Sequence, residues 1–146
     1  MLLYPSTGQH ALLAAKHFSP GDVISHFSAG ITQPHADRYT VQIGEDKHIT
    51  LVPKLLQYIN HSCSPCAFFD TTLMVLISLR TIEPGDEITF FYPSTEWEMA
   101  EPFNCHCGSP ECLNVINGAA SLPEETLAKY VLTDFIREMI FLKNSL

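Results

Sequence analysis

The run Cys105-His106-Cys107-Gly108-Ser109-Pro110-Glu111-Cys112 limits what this chain can become more than any other feature. Its three thiols form a C-x-C-x4-C pattern. Thiolates are soft ligands, and a closed structural zinc site takes four donors in a tetrahedron at about 2.3 Å. Two cysteines one residue apart can reach one ion if the backbone turns sharply, and Gly108 and Pro110 supply such a turn before Cys112. Three donors do not close a site, so a fourth must come from elsewhere; Cys63, Cys66 and His106 are the candidates. The chain has five cysteines, and its start, MLLYPSTGQH, has neither a basic nor a long apolar stretch. An odd cysteine count without a secretory leader argues for metal ligation over a disulfide framework. The protein is therefore expected to be intracellular, in cytoplasm or nucleus, and not secreted.

A length of 146 residues with 46% hydrophobic content suits one domain with a single core. The longest apolar runs, such as residues 73–79 (LMVLISL), are too short to span a bilayer, so no membrane association is expected. Eight basic against sixteen acidic side chains give a net charge of −8. The basic residues are scattered, which speaks against direct nucleic-acid binding, whereas an acidic surface attracts a basic partner such as a lysine-rich peptide.

The first two-thirds read as short strands between turns. Residues 11–15 are apolar, Ser19-Pro20-Gly21-Asp22 turns the chain, and residues 23–27 resume an extended pattern. Residues 39–43 (YTVQI) and 48–52, joined by Gly44-Glu45-Asp46, read as a hairpin. Residues 73–79 lead through Glu83-Pro84-Gly85-Asp86 into residues 87–91 (EITFF), a second strand pair. Residues 53–59 suit one helical turn, and residues 92–117 little regular structure. In the tail, Ser121-Leu122-Pro123-Glu124 fits a capping box. Leu127, Val131, Phe135 and Met139 follow at a spacing of four, predicting one amphipathic helix that packs on the core.

Two further constellations carry polar groups. Asn60-His61-Ser62-Cys63 places four polar side chains between apolar segments, and such a run needs either a hydrogen-bond network or a ligand. Residues 80–92 (RTIEPGDEITFFY) end a strand in two aromatics and Tyr92, directly before Pro93. Taken alone, Tyr92 reads as a half-buried core tyrosine or as a hydroxyl at the rim of a cavity.

The order of these motifs resembles the SET-domain protein-lysine methyltransferases that carry a post-SET zinc segment. Asn-His-Ser-Cys is followed by R-x-I-x-x-G-[DE]-E-[IL]-T-F-x-Y and then C-x-C-x4-C, and residues 15–24 (AKHFSPGDVI) look like the early strand and turn of that family. The resemblance covers about residues 8–118 and is closest to the minimal bacterial or viral forms. It implies a mainly β fold: small curved β-sheets around a pseudo-knot, a zinc-bound post-SET segment and a C-terminal α-helix. The corresponding division is 1–100 for the SET domain, 101–118 for the zinc segment and 119–146 for the helix.

The resemblance further implies S-adenosylmethionine and Zn2+ as cofactors. Asn60 and His61, with Gly8 and Phe103, match cofactor-binding positions. Tyr92 matches the tyrosine beside the transferred methyl, and Phe90 the position that limits product methylation, with Phe favouring di- or trimethylation. Cys63 matches the fourth zinc ligand beside Cys105, Cys107 and Cys112. The implied partner is a lysine-containing, basic (histone-like) protein or peptide. Departures are visible. Thr7-Gly8-Gln9-His10-Ala11 keeps one glycine of a usual pair, Phe91 replaces an aspartate, Cys66 an asparagine, and Gln57-Tyr58-Ile59 an arginine-containing run. The stretch between Tyr39 and Asn60 is too short for the usual peptide-groove insert, whose missing wall a homodimer would supply. Two other readings fit these departures: a catalytically inactive SET-like binding module, and a zinc-stabilised interaction protein that works through its C-terminal helix.

Overall fold

Two X-Pro-Gly-Asp turns set the spacing of the strands. In both, the proline fixes the first turn residue and the glycine takes a positive φ, +88° at Gly21 and +91° at Gly85. The aspartate closes each loop: Asp22 N donates to Ser19 O at 3.0 Å and Asp86 N to Glu83 O at 3.0 Å. The carboxylates return the bond, with Ser19 N to Asp22 Oδ2 at 2.7 Å and Glu83 N to Asp86 Oδ2 at 2.9 Å.

The computed structural model describes residues 2–6 and 9–145. Its strands are β1 (Leu2–Ser6), β2 (Gln9–Leu13), β3 (Val23–His26), β4 (Ser28–Gln33), β5 (Val41–Gly44) and β6 (Lys47–Val52). They continue as β7 (Asn60–His61), β8 (Ala67–Asp70), β9 (Val75–Ser78), β10 (Thr89–Phe90), β11 (Phe103–Asn104) and β12 (Val115–Ile116). Two α-helices close the chain, α1 (Glu124–Leu127) and α2 (Asp134–Asn144). The strands form a β1-β2 hairpin, a five-stranded sheet ordered β3-β9-β8-β10-β7, a three-stranded sheet ordered β4-β6-β5, and the small pair β11-β12.

The expected hairpin over residues 39–52 is present as β5-β6, with Val41 opposite Ile49. Residues 54–58 form the expected single helical turn, of the 3-10 type. The second expected strand pair is corrected. β9 lies between β3 and β8, while β10 runs parallel to β7 and β8, with Phe90 opposite both His61 and Ala67. Residues 67–70 (AFFD), which the turn signals did not separate, supply the strand between them. This parallel crossing brings the Asn-His motif beside the strand that leads to Tyr92.

Leu12, Ile49, Leu56, Phe69, Leu76 and Ile88 are fully buried where the sheets face one another. A second cluster joins Ala119, Leu127, Leu132 and Ile136 to Trp97 and Tyr130. The tail departs from the predicted single helix. Ser121 ends a 3-10 turn and makes no capping box; α1 starts from Pro123 without a side-chain cap and lasts four residues. The chain then extends and restarts at Thr133, whose Oγ1 accepts from Ile136 N at 3.2 Å. Among the described residues no helix is long and apolar enough to cross a membrane.

The tail is seated at Gly118. Ala119 N donates to Glu96 O and Ala120 N to Trp97 O, each at 2.9 Å. Gly118 has φ +97° and ψ 168°, a region essentially reserved for glycine. A Cβ there would lie 2.5 Å from the Trp97 carbonyl oxygen. Gly118→Ala is therefore expected to cost about 2 kcal/mol or more, and the melting temperature should fall by at least ~4 °C in a thermal unfolding scan.

Candidate active site and metal centre

His61 is the joint of the site. Its Nδ1 accepts the main-chain N–H of Tyr92 at 3.1 Å, so in the neutral ring the proton sits on Nε2, which points at Cys63 Sγ 3.3 Å away. Burial pulls its pKa down to about 4, which keeps the ring neutral at working pH. Beside it, Asn60 Nδ2 donates to His10 O at 2.8 Å and to Glu87 Oε2 at 3.0 Å. Both amide protons are thereby used, and its carbonyl oxygen stays available as an acceptor.

Tyr92 lies in an aromatic corner. Its ring centroid is 4.7 Å from Phe90, 5.2 Å from His61 and 5.8 Å from Phe103. Its hydroxyl donates to Ile59 O at 3.0 Å. Burial pushes the phenol up to about 12, so it is a donor and a dipole at neutral pH, with oxygen lone pairs still free. Phe90 is also edge-packed on Phe69, at 4.8 Å. Asn60, His61, Phe90, Tyr92 and Phe103 line one cleft of ≈ 960 Å³. That is the upper end of the range for ligand sites, roughly 300–1,000 Å³. Gly8 lies outside the described residues.

The four thiols of Cys63, Cys105, Cys107 and Cys112 lie within 4.8 Å of one another. A zinc tetrahedron with bonds of about 2.3 Å has sulfur–sulfur edges of about 3.8 Å, and Cys63 Sγ and Cys105 Sγ are 3.9 Å apart. Burial pushes the Cys63 and Cys105 thiols up, the latter to about 11, while Cys107, against its own desolvation, is lowered to about 6 by hydrogen bonds to its sulfur; the two buried thiols therefore need a bound cation to become thiolates. The donor set and its spacing fit a closed structural zinc. Gly108, at φ +75°, turns the loop, and Cys112 N donates to Ser109 O at 3.0 Å. The two other candidate ligands stay apart from the group. Cys66 Sγ sits by Thr89 N at 3.4 Å, and His106 is not among the clustered donors.

Tyr130 and Glu96 escaped the reading of the sequence. Tyr130 stacks on Phe91 with centroids 3.6 Å apart, and its hydroxyl donates to Cys63 O at 2.6 Å. The Phe91 departure thus has a packing reason, since it anchors the tail to the metal loop. Glu96 is buried and lines the cleft. In the sequence it is one of three nearby acids, with Glu98 and Glu101, and its one distinguishing mark is that it directly precedes the only tryptophan of the chain.

Residues 9–93 match the SET domain family. The chain belongs to that family. It is 41% identical over 122 residues to the methyltransferase flvH of Aspergillus flavus, a match covering 82% of this chain and 68% of that protein. It is 32% identical over 110 residues to the H3 lysine-36 specific histone-lysine N-methyltransferase of Debaryomyces hansenii, covering 70% of this chain but 14% of that protein. Among solved structures, KRYPTONITE in complex with mCHG DNA and SAH superposes with a TM-score of 0.61 at 21% identity, over 77% of this chain and 28% of that one. That likeness bears on the fold alone. This SET-family chain is a methyltransferase-type protein, and membership implies S-adenosylmethionine as the methyl donor.

Cys63→Ser and Cys107→Ser should each remove most bound zinc and lower the melting temperature by roughly 10 °C. Cys66→Ser should leave the zinc content of the SET-family chain unchanged. Metal analysis with thermal unfolding checks all three.

Proposed function

We propose that this chain is an S-adenosylmethionine-dependent protein-lysine N-methyltransferase acting on a basic, histone-like protein. The observation that carries the reading is one cleft shared by the Asn60-His61 strand, the Tyr92 hydroxyl and the Phe90–Phe103 aromatic walls. In this reading Asn60 and His61, with Gly8 and Phe103, hold the cofactor. The cofactor, when bound, supplies a methyl group on a sulfonium. The chain's own residues align an uncharged amine with it and exclude water. Tyr92, held by Ile59 O and the His61 ring, presents its oxygen to the reacting groups. Phe90, which has no hydroxyl to fix a water, favours di- or trimethylation.

Residues 1–100 carry the catalytic part in this reading, 101–118 the zinc segment and 119–146 the packing tail. The acidic surface suits a lysine-rich substrate and no nucleic acid. The thiol set suits an intracellular setting in which thiolates stay reduced. The short stretch between Tyr39 and Asn60 leaves little room for one wall of a peptide groove, which a second copy of the chain would supply.

An inactive binding module is the competing reading, and it is separated by experiment. Zinc-loaded protein should bind S-adenosylmethionine near one per chain by calorimetry and transfer labelled methyl to lysine-rich peptides. Tyr92→Phe should keep the fold and cofactor binding but lose about 10²-fold or more in turnover, the scale of a misplaced reacting group. Stoichiometric binding without transfer to any peptide would favour the inactive module.

A further inference from the structure

Glu96 ends the turn that begins at Tyr92, with its N–H donating to Tyr92 O at 3.0 Å. Its side chain lines the same cleft as Tyr92 while only 6% exposed. The carboxylate Oε2 accepts from Gln42 N at 3.1 Å and Thr95 Oγ1 at 2.5 Å. Among the described residues Oε1 has no hydrogen-bond partner, and no Lys, Arg or His lies within ion-pair distance of either oxygen. Oε1 is not sealed from solvent and opens to the cleft, where a cation or a proton can reach it. The phenol beside it does not serve as a base, since burial pushes Tyr92 up to about 12.

We infer that Glu96 receives the ammonium group of the amine to be methylated and takes its proton. The inference rests on the methyltransferase reading of the cleft. In the step, R–NH3+ and the Glu96 carboxylate become R–NH2 and the Glu96 carboxylic acid. One N–H bond breaks, one O–H bond forms, and the electron pair stays on nitrogen for the attack. The proton later leaves to water. The shared cleft gives the carboxylate access to the amine, and burial adds the poise: it pushes the Glu96 carboxyl up to about 7, partly offset by its bonds from Thr95 and Gln42. A base of that strength accepts a proton from an amine of pKa about 10.4 once the amine is desolvated.

Other titratable groups share the cleft. Tyr92 lies on the same turn, Asp37 and Arg38 before β5, His61 on β7, Glu87 before β10, and His10 on β2. Glu101, Cys105, His106 and Cys107 line it too, from the stretch that carries the zinc ligands, and Tyr39 and Tyr58 from the stretch between β4 and β7. A pH limb is therefore assigned by its loss in a variant that removes only the Glu96 charge. Glu96→Gln does so, since an amide oxygen still accepts from Gln42 and Thr95.

The test uses full-length zinc protein with S-adenosylhomocysteine, titrated with Nα-acetyl-lysine methylamide and with its isosteric terminal alcohol. Wild type should prefer the amine by about 10-fold or more at pH 8 and lose that preference below pH 7, where the carboxyl is protonated. E96Q should bind both alike. In methyl-transfer assays on lysine-rich peptide, kcat/KM of E96Q at pH 7 should fall by about 10²-fold. Its rate should climb steadily to pH 9 as free amine accumulates, without the bend near pH 7. Equal amine binding by wild type and E96Q, or a wild-type preference that does not change with pH, overturns the inference, and the second readout needs no variant. Amine preference lost in E96Q with no methyl transfer by wild type would leave Glu96 as the ammonium site and overturn the catalytic reading instead. Methyl transfer that E96Q retains at pH 7 would overturn the proton-taking role.

Discussion

Everything around the cleft hangs on Cys63. Its Sγ meets the thiols of the loop 42 residues further on and the Nε2 of His61, and its carbonyl accepts the Tyr130 hydroxyl. Through His61 Nδ1 the same residue reaches the main chain of Tyr92. Closing so long a loop is entropically unfavourable, and ligand bonds to one ion are a strong way to offset it. The metal centre is therefore more than a local staple. His61 links it to Tyr92, with Nε2 against Cys63 Sγ and Nδ1 accepting the Tyr92 N–H, and the turn that follows carries both the Tyr92 hydroxyl and the Glu96 carboxylate.

Much of this was legible in the residues themselves. The C-x-C-x4-C run left three candidates for the fourth donor, and the fold selects Cys63 because the parallel crossing of β7 and β10 aims it at the loop. Strand positions followed from β-branched and aromatic runs between turns, since the X-Pro-Gly-Asp loops permit little else. Pairing was harder to read. β9 and β10 are neighbours in the chain and not in the sheet, because β8 and β7 pair with β10 in parallel and no local signal encodes that.

The tail shows where periodicity misleads. Spacing by four from Leu127 to Met139 suits one helix, yet Val131 is 50% exposed and residues 131–133 are not helical. A continuous helix would carry Tyr130 on a fixed heading. The break frees it to stack on Phe91 and reach Cys63 O, and so satisfies a buried carbonyl. Thr133-Asp134 then restarts the helix with a hydroxyl cap and an acid in the first turn, a start signal as good as the Ser121 one. Tertiary hydrogen bonding chose between two local options of similar strength.

Glu96 was invisible for a different reason. One acid among Glu96, Glu98 and Glu101 reads as solvated surface, and only the fold reveals that Gln42 and Thr95 draw it inside. The same clamp works in both directions, since Gln42 Oε1 accepts from Trp97 N at 2.9 Å while its own N–H serves Glu96. The turn is thus pinned to β5 whether or not the carboxylate carries charge. A purely structural clamp would be as well served by glutamine, which accepts the same two bonds without the penalty of burying an ionisable group. A carboxylate in that place adds only a charge, and the charge faces the cleft.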